Sequence, residues 1–219
     1  MNHYDVIVVG GGPTGATAAH DLATAGRTVL LLDRRGRIKP CGGAVPPVLV
    51  REFNIPDSQL EAKVTDARMI SPANEKVDMS VGGWVGMVDR AVFDEWLRQR
   101  AADAGATRID AMFQKVTSTD EGAIVRYRDN ATGDTCEVRA NYVIGADGAR
   151  SRVARQCIPG ADKIPHVFAY HEIVKSPERG TGDFEPTRCD VYYQGDVTPD
   201  FYGWVFPHGE EASIGMGTA

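Results

Sequence analysis

Near the amino terminus the segment Gly10-Gly11-Gly12-Pro13-Thr14-Gly15 carries glycine at the three fixed positions of a G-x-G-x-x-G turn, Gly10, Gly12 and Gly15. Each of the three has a task in gripping a pyrophosphate. The first permits a tight turn, the second lets the anion approach the backbone, and the third lets a helix pack closely on the preceding strand. The N-terminus of that helix adds free N–H groups and the positive end of a dipole. Asp33 follows eighteen positions after Gly15, near the distance at which an acid accepts a ribose hydroxyl. A second turn, Gly145-Ala146-Asp147-Gly148-Ala149-Arg150-Ser151, again follows an apolar run. Residues of these types at this spacing bind a dinucleotide.

Such a turn works only between a strand and a helix. Asp5–Val9 reads as a buried parallel strand, Thr14–Ala25 as a helix of small residues capped by Gly26, and Thr28–Leu32 as a second buried strand ending at Asp33. Strand, helix and strand make a βαβ unit with a parallel sheet. From Arg34 to Pro56 the glycines and prolines predict a long loop. Strands are expected at Lys76–Val81 and Trp84–Val88. Asp89 then caps a helix over Arg90–Ala104 whose Val92, Phe93, Trp96 and Leu97 share a face. Further strands are expected at Phe113–Thr119, Ala123–Arg128, Cys136–Ala140 and Tyr142–Ile144, with a hairpin turn at Asn130–Gly133. After Arg155 the pattern reads as all strand, with Tyr202, Trp204 and Phe206 on one face of the segment Tyr202–Phe206.

The Gly145–Ser151 segment resembles the GADG-x-x-S turn of flavoprotein hydroxylases and their relatives, which favours FAD over NAD and sets Asp147 and Gly148 beside the cofactor's pyrophosphate and ribityl chain. The same resemblance assigns cofactor contacts to Pro13 and Thr14 in the first turn, to Arg34 beside Asp33, and to Arg90 near the flavin. It also assigns main-chain contacts with the adenine to the stretch Gln114–Val116, Val116 in particular.

Two further segments narrow the family. Lys39-Pro40-Cys41-Gly42-Gly43-Ala44-Val45-Pro46, with Glu52-Phe53, Met69-Ile70-Ser71-Pro72, Gly86–Arg90 and Phe93–Arg98, closely resembles the geranylgeranyl reductases of chlorophyll and bacteriochlorophyll synthesis. Pro199-Asp200-Phe201-Tyr202-Gly203-Trp204-Val205-Phe206-Pro207 fits the P-x-x-Y-x-W-x-F-P pattern of prenyl reductases at every fixed position. The resemblance covers nearly the whole chain and is strongest to the bacteriochlorophyll branch of phototrophic bacteria. It implies FAD as cofactor, NADPH as electron donor, and a prenylated pigment or prenyl diphosphate as substrate. Tyr202, Trp204, Phe206 and Pro207 would line the prenyl pocket. Cys41 and Gly42 would lie near the flavin ring, where Cys41 positions flavin or substrate or takes part in proton delivery.

The fold class that follows is α/β. A Rossmann-like FAD-binding domain is expected over 1–158, with an insertion at about 44–88, and a partial β-sheet substrate domain over 159–219. The resembled family is longer and has a later Gly-Asp-x-x-Gly segment, so its C-terminal part is expected to be absent here. Two alternatives stand beside the reductase reading. One is a flavin-dependent monooxygenase or halogenase, although halogenases have W-x-W-x-I-P where Tyr202, Trp204, Phe206 and Pro207 stand; the other is a truncated, inactive fragment.

Composition excludes other classes. The 219 residues are 42% hydrophobic and 25% charged, with 24 glycines and 12 prolines, which rules out collagen and low-complexity disorder. A net charge of −6 lacks the basic excess of a dedicated nucleic-acid binder. No apolar run approaches the ~18 residues that cross a bilayer, and Met1–Asp5 leads into Val6 without the basic region of a signal peptide. A cytoplasmic protein is expected, associated peripherally with the photosynthetic membrane. Cys41, Cys136, Cys157 and Cys189 show no C-x-x-C spacing, so no metal site is expected and the thiols read as free.

Overall fold

A computed structural model describes residues 1–34, 41–178 and 181–219. The backbone divides into two compact units, Met1–Arg37 with Asp94–Ile164, and Ile38–Phe93 with Pro165–Ala219.

The first unit begins with β1 (His3–Val9), α1 (Pro13–Thr24) and β2 (Val29–Asp33). Parallel pairing of β1 with β2 sets Val6 opposite Val29 and Val9 opposite Leu32. The apolar run of β1 is continuous because both its faces are covered. Ile7 and Val9 join Leu30, Leu32, Phe113, Val125, Tyr127 and Val138 in one core. Val6 and Val8 join Val29, Leu31, Ala19, Ala23 and Ala101 in another. The alanines at 16, 19 and 23 let α1 lie close to the sheet. Gly26, at φ +76°, ends the helix: its N–H donates to Ala23 O and that of Arg27 to Leu22 O, the two bonds of a Schellman cap.

Downstream of β2, the elements in chain order are β3 (Ala44–Val45), α2 (Pro47–Glu52), β4 (Ala62–Ile70), β5 (Lys76–Met87), α3 (Arg90–Asp103), β6 (Thr107–Thr119), β7 (Gly122–Asp129) and β8 (Thr135–Gly145). They are followed by α4 (Arg152–Cys157), β9 (Phe168–Lys175), β10 (Arg188–Tyr192), β11 (Gly203–His208) and β12 (Glu211–Thr218). In the first unit, β1, β2, β6, β7 and β8 close into a barrel. The second unit is a seven-stranded sheet in the order β3-β5-β4-β10-β11-β12-β9.

Several expectations are corrected. The segment read as loop from Arg34 to Pro56 holds the short strand β3 and the helix α2, which Pro47 opens at its first position; Lys39 and Pro40 of the family motif lie outside the described residues. The strand pairs expected at 76–81 and 84–88, and at 136–140 and 142–144, are each one continuous strand, because Gly82, Gly83 and Asn141 are accommodated within β5 and β8. Beyond Arg155 the chain is not all strand, since α4 continues to Cys157 and a short 3-10 turn covers Ala161–Lys163. Val92 is 51% exposed. The buried positions of α3 include Phe93, Asp94, Leu97, Arg98 and Ala101, and Val92 lies about 100° outside that stripe.

The division of the chain also differs from the expected 1–158 and 159–219. Parallel pairing of β4 with β10 sets Asp66 opposite Arg188 and Ile70 opposite Tyr192, so the inserted segment and the C-terminal segment share a single sheet. No helix among the described residues is long and apolar enough to cross a membrane.

Candidate functional site

The turn after β1 is held by the N–H of Gly10, which donates to Leu32 O, and that of Ala146, which donates to Val9 O, each at 2.8 Å. Gly10 sits at φ +100°, and a Cβ there would lie 2.4 Å from Ala146 O. A Cβ on Gly15 would lie 1.8 Å from Gly10 O. Both glycines are thus required by the chain's own packing. Gly12 is not: its φ is −69° and a Cβ would meet no atom within 4 Å. It precedes Pro13 at the start of α1, whose first turn receives no side-chain cap. A glycine needed by nothing in the chain, beside helix N–H groups that no side chain satisfies, fits a pyrophosphate brought against the backbone. Thr14 lies in the same turn.

The fingerprint pattern treats Gly11 as a free position, but its Cβ would fall 2.7 Å from Asp33 Oδ2. The residue that ties these parts together is Arg98, missed as a site residue in the sequence. It is 8% exposed. Its Nη1 donates to Gly11 O and to Asp33 Oδ2, both at 3.1 Å, and its Nε donates to Glu95 Oε2 at 3.0 Å. Glu95 in turn receives both terminal nitrogens of Arg108, at 2.6 and 2.7 Å. The Arg108 bonds hold the Glu95 carboxyl down at about 2 despite some burial. The signal available in the sequence was a charged pair, Asp94 and Arg98, on the stripe of α3 that also carries Leu97 and Ala101. Arg34, just past β2, is exposed.

Arg98→Met removes a charge-assisted bond to Asp33 and the donor to Gly11 O, so we expect unfolding free energy to fall by on the order of 2–3 kcal/mol. Urea denaturation measures it. The double variant with Asp33→Asn should lose less than the sum of the two single changes, because both break one interaction; strict additivity would show that the pair is not coupled.

At the second turn Gly148 has φ +86°. Asp147 Oδ1 accepts from the Ser151 hydroxyl, and its Oδ2 accepts from the N–H groups of Arg152 at 2.6 Å and Val153 at 3.4 Å. Ser151 Oγ accepts from Ala154 N–H at 2.9 Å. Asp147 therefore caps α4, with one of the roughly four lone-pair directions of a carboxylate left for a ligand. Val116 N–H donates to Gln156 Oε1 at 3.1 Å.

In the second unit the Cys41-Gly42-Gly43 segment lies against the aromatic strand. A Cβ on Gly42 would be 2.6 Å from the Phe206 ring, and one on Gly43, at φ +74°, would be 2.5 Å from Val88 O. Tyr202 stands one residue before β11, and its ring meets that of Trp204 edge-on at 6.1 Å between centroids; Trp204 and Phe206 follow at 6.2 Å. Phe201 stacks on Tyr202 at 4.3 Å. Burial, with Tyr193 and Cys41 nearby, raises the Tyr202 phenol above its ordinary value. Pro207 is fully buried. Arg90 opens α3, just after Asp89 Oδ1 accepts Ala91 N–H at 2.8 Å. A hollow of about 270 Å³ lined by Asp190, Tyr192, Val205 and Ile214 lies on the other face of the sheet from Trp204 and Phe206, by strand alternation.

Trp204, 4% exposed, donates its indole N–H to Ser213 Oγ at 3.1 Å, and His171 Nδ1 lies 3.1 Å from the same oxygen. An indole N–H can only donate, so Ser213 Oγ accepts from Trp204, and the same oxygen joins Trp204 to His171. His208 Nε2 donates to Gly42 O at 2.9 Å. Burial lowers His208 from the ordinary 6.5. The unfolded chain then takes up the proton first, so stability is full above 6.5 and falls as pH drops from there through the lower folded value. Thermal melts at about pH 7.5 and about pH 5 should differ by more in the native protein than in His208→Gln, which keeps a donor for Gly42 O without titrating.

The expected site residues therefore gather in two groups. Gly10, Gly12, Pro13, Thr14, Gly15, Asp33, Asp147 and Gly148 lie around the turns of the first unit; Cys41, Gly42, Tyr202, Trp204, Phe206 and Pro207 lie together in the second. The βαβ turn, the acid ending β2 and the Gly-Asp turn after β8 define an oxidoreductase fold of the FAD-binding type. The chain belongs to the pyridine nucleotide-disulphide oxidoreductase family, whose profile matches residues 4–198, and within it to the geranylgeranyl reductases. It is 57% identical to the geranylgeranyl diphosphate reductase of Rhodobacter capsulatus, over 98% of this chain and 54% of that one. Identity is 38% to the chloroplastic geranylgeranyl diphosphate reductase of Arabidopsis thaliana, over 97% and 48%. A geranylgeranyl bacteriochlorophyll reductase-like protein from Thermoplasma acidophilum superposes with TM-score 0.85 at 28% identity, covering 100% of this chain and 57% of that one. A flavin-dependent brominase, at TM-score 0.79 and 18% identity over 99% and 56%, shares the fold alone. The chain spans about half the length of the curated relatives it matches.

Proposed function

We propose that this chain serves FAD-dependent reduction of the isolated C=C bonds of a geranylgeranyl chain, carried by a (bacterio)chlorophyll or as the diphosphate, with NADPH as electron donor. The observation that carries the reading is the row of Tyr202, Trp204 and Phe206 with Gly42 packed on Phe206, in a chain 57% identical to a protein named geranylgeranyl diphosphate reductase.

Saturating such a bond needs a hydride at one carbon and a proton at the other, with almost no substrate polarity to help, so orientation carries most of the barrier lowering. Bound FAD, once reduced, supplies the hydride. In this reading Gly12 and the first turn of α1 hold the pyrophosphate. Asp33 accepts a ribose hydroxyl with Oδ1 while Arg98 occupies Oδ2, and Asp147 and Gly148 meet the ribityl side. Arg34, Arg90 and Val116 are assigned to the cofactor on resemblance. Tyr202, Trp204, Phe206 and Pro207 offer the prenyl chain an apolar wall that excludes water. Cys41, near Tyr202, orients flavin or substrate or carries the proton. Because the substrate partitions into lipid, the reading also puts the protein at the cytoplasmic face of the photosynthetic membrane, docked on it.

Mass spectrometry of the prenyl product after anaerobic incubation with FAD and NADPH tests the proposal. Products gaining hydrogen in pairs are expected. Hydroxylated or halogenated products formed only with oxygen would overturn it in favour of the monooxygenase and halogenase class.

A further inference from the structure

Strand β9 ends the seven-stranded sheet, with β12 on one side and, among the described residues, no strand on the other. It pairs with β12 along its whole length, from Phe168 opposite Thr218 to Lys175 opposite Glu211. The direction of its backbone groups follows from the bonds at the two ends of that ladder. Ser176 N–H donates to Glu210 O, whereas Gly217 N–H donates away from β9, to Tyr202 O. Bonding residues alternate in an antiparallel ladder. Residues 168, 170, 172 and 174 therefore bond to β12, and Ala169, His171, Ile173 and Lys175 turn their N–H and C=O groups to the open edge. The strand holds no proline or glycine to blunt that edge, and its one lysine stands at the end. Phe168, Tyr170 and Ile173 are 57%, 64% and 50% exposed. The strand at the other end of the sheet, β3, is only two residues long.

We propose that β9 pairs with β9 of a second copy of this chain, antiparallel and about a two-fold axis at His171, which joins the two sheets edge to edge. An axis normal to the sheet keeps each side chain on its own face, so only residues of the same face can stand opposite one another. Two such registers overlap most of the strand, one centred on His171 and one on Glu172. Centred on Glu172, two carboxylates meet at the axis in the closely spaced, non-hydrogen-bonded kind of pair, and like charges directly opposite destabilise. Centred on His171, the axis falls on a residue whose N–H and C=O face the edge, so its two copies exchange both bonds. Phe168 then lies opposite Val174 of the partner subunit, Ala169 opposite Ile173 of the partner subunit, and Tyr170 opposite Glu172 of the partner subunit. An aromatic residue against a β-branched one is among the cross-strand pairs that strengthen a sheet. The Tyr170 hydroxyl already donates to Glu172 Oε1 of its own strand at 2.5 Å, and the pairing sets each carboxylate beside two hydroxyls.

Sedimentation velocity of the full chain from about 1 to about 100 µM tests this, with a dimer half formed near about 10 µM as the expected result for a small interface that forms and parts in solution. Ile173→Pro removes an N–H that faces the edge and none that β12 uses, so this variant should keep its circular dichroism and dimerise at least about tenfold more weakly. If it does not fold, Phe168→Lys, a change at an exposed side chain, should weaken the dimer in the same direction. Cross-linking reads the register, in a Cys157→Ser background that removes the exposed native thiol. Paired Cα atoms at the axis stand about 5.5 Å apart, within disulfide reach, so His171→Cys should give a covalent dimer on oxidation with diamide. Ile173→Cys, which meets Ala169 of the partner subunit, should not. A chain monomeric at about 100 µM overturns the proposal, as does a dimer indifferent to both edge variants, or one cross-linked by Ile173→Cys rather than His171→Cys. A monomeric chain that captures an unrelated extended peptide on β9 overturns it equally, in favour of strand addition by another protein.

Discussion

Gly12→Val is expected to fold normally and to lose its flavin, whereas Gly15→Val is expected not to fold. The two glycines occupy one fingerprint and look alike in sequence. A Cβ on Gly15 would sit 1.8 Å from Gly10 O, a backbone atom that cannot move without breaking the turn. A Cβ on Gly12 would have nothing within 4 Å, and its backbone, at φ −69°, suits any L-residue. The added side chain meets only what is brought against the turn from outside. Displacing a pyrophosphate from even one charge-assisted N–H bond costs about 1.5–3 kcal/mol, roughly one to two decades in affinity. Circular dichroism with flavin absorbance on the purified protein separates the two effects. A yellow, fully loaded Gly12→Val protein would falsify the assignment of the first turn to the cofactor.

Trp204→Ala is expected to cost about 3–5 kcal/mol of stability, the range for deleting a buried aromatic. The indole is 4% exposed, lies over Gly215, where a Cβ would be 2.3 Å from Cζ2, and is the donor to fully buried Ser213. This variant cannot probe substrate binding alone, because it also leaves Ser213 and His171 without the donor that orders them. Tyr202→Ala is the cleaner probe. Tyr202 is half-buried and stands just before β11, so its removal should leave the melting temperature within a few degrees, on the order of 1 kcal/mol. Its removal should lower kcat/KM for the prenyl substrate by about tenfold. Unchanged turnover in Tyr202→Ala would make the aromatic row a core feature and move the prenyl pocket elsewhere.

What the sequence determined by itself is local. The β1-α1-β2 unit, with Gly10, Gly12, Gly15 and Asp33 in their places, was legible because hydrophobic period, glycine positions and helix cap all act within some thirty residues and agree with one another. The aromatic row was legible for the same reason, since alternation along one strand puts Trp204 and Phe206 on one face whatever the strand pairs with. Tertiary structure alone decided which strands meet. That β4 lies beside β10, Asp66 opposite Arg188, makes one sheet of two segments far apart in the chain, and period-two patterning specifies a face but not a neighbour. Arg98 holding Gly11 and Asp33, Gln156 lying on Gln114 and Val116, and Ser213 joining Trp204 to His171 belong to the same category. Each is a polar group whose partner is chosen by the register and packing of separate elements, because a buried or edge hydrogen-bonding group must be satisfied by whatever the fold brings within reach.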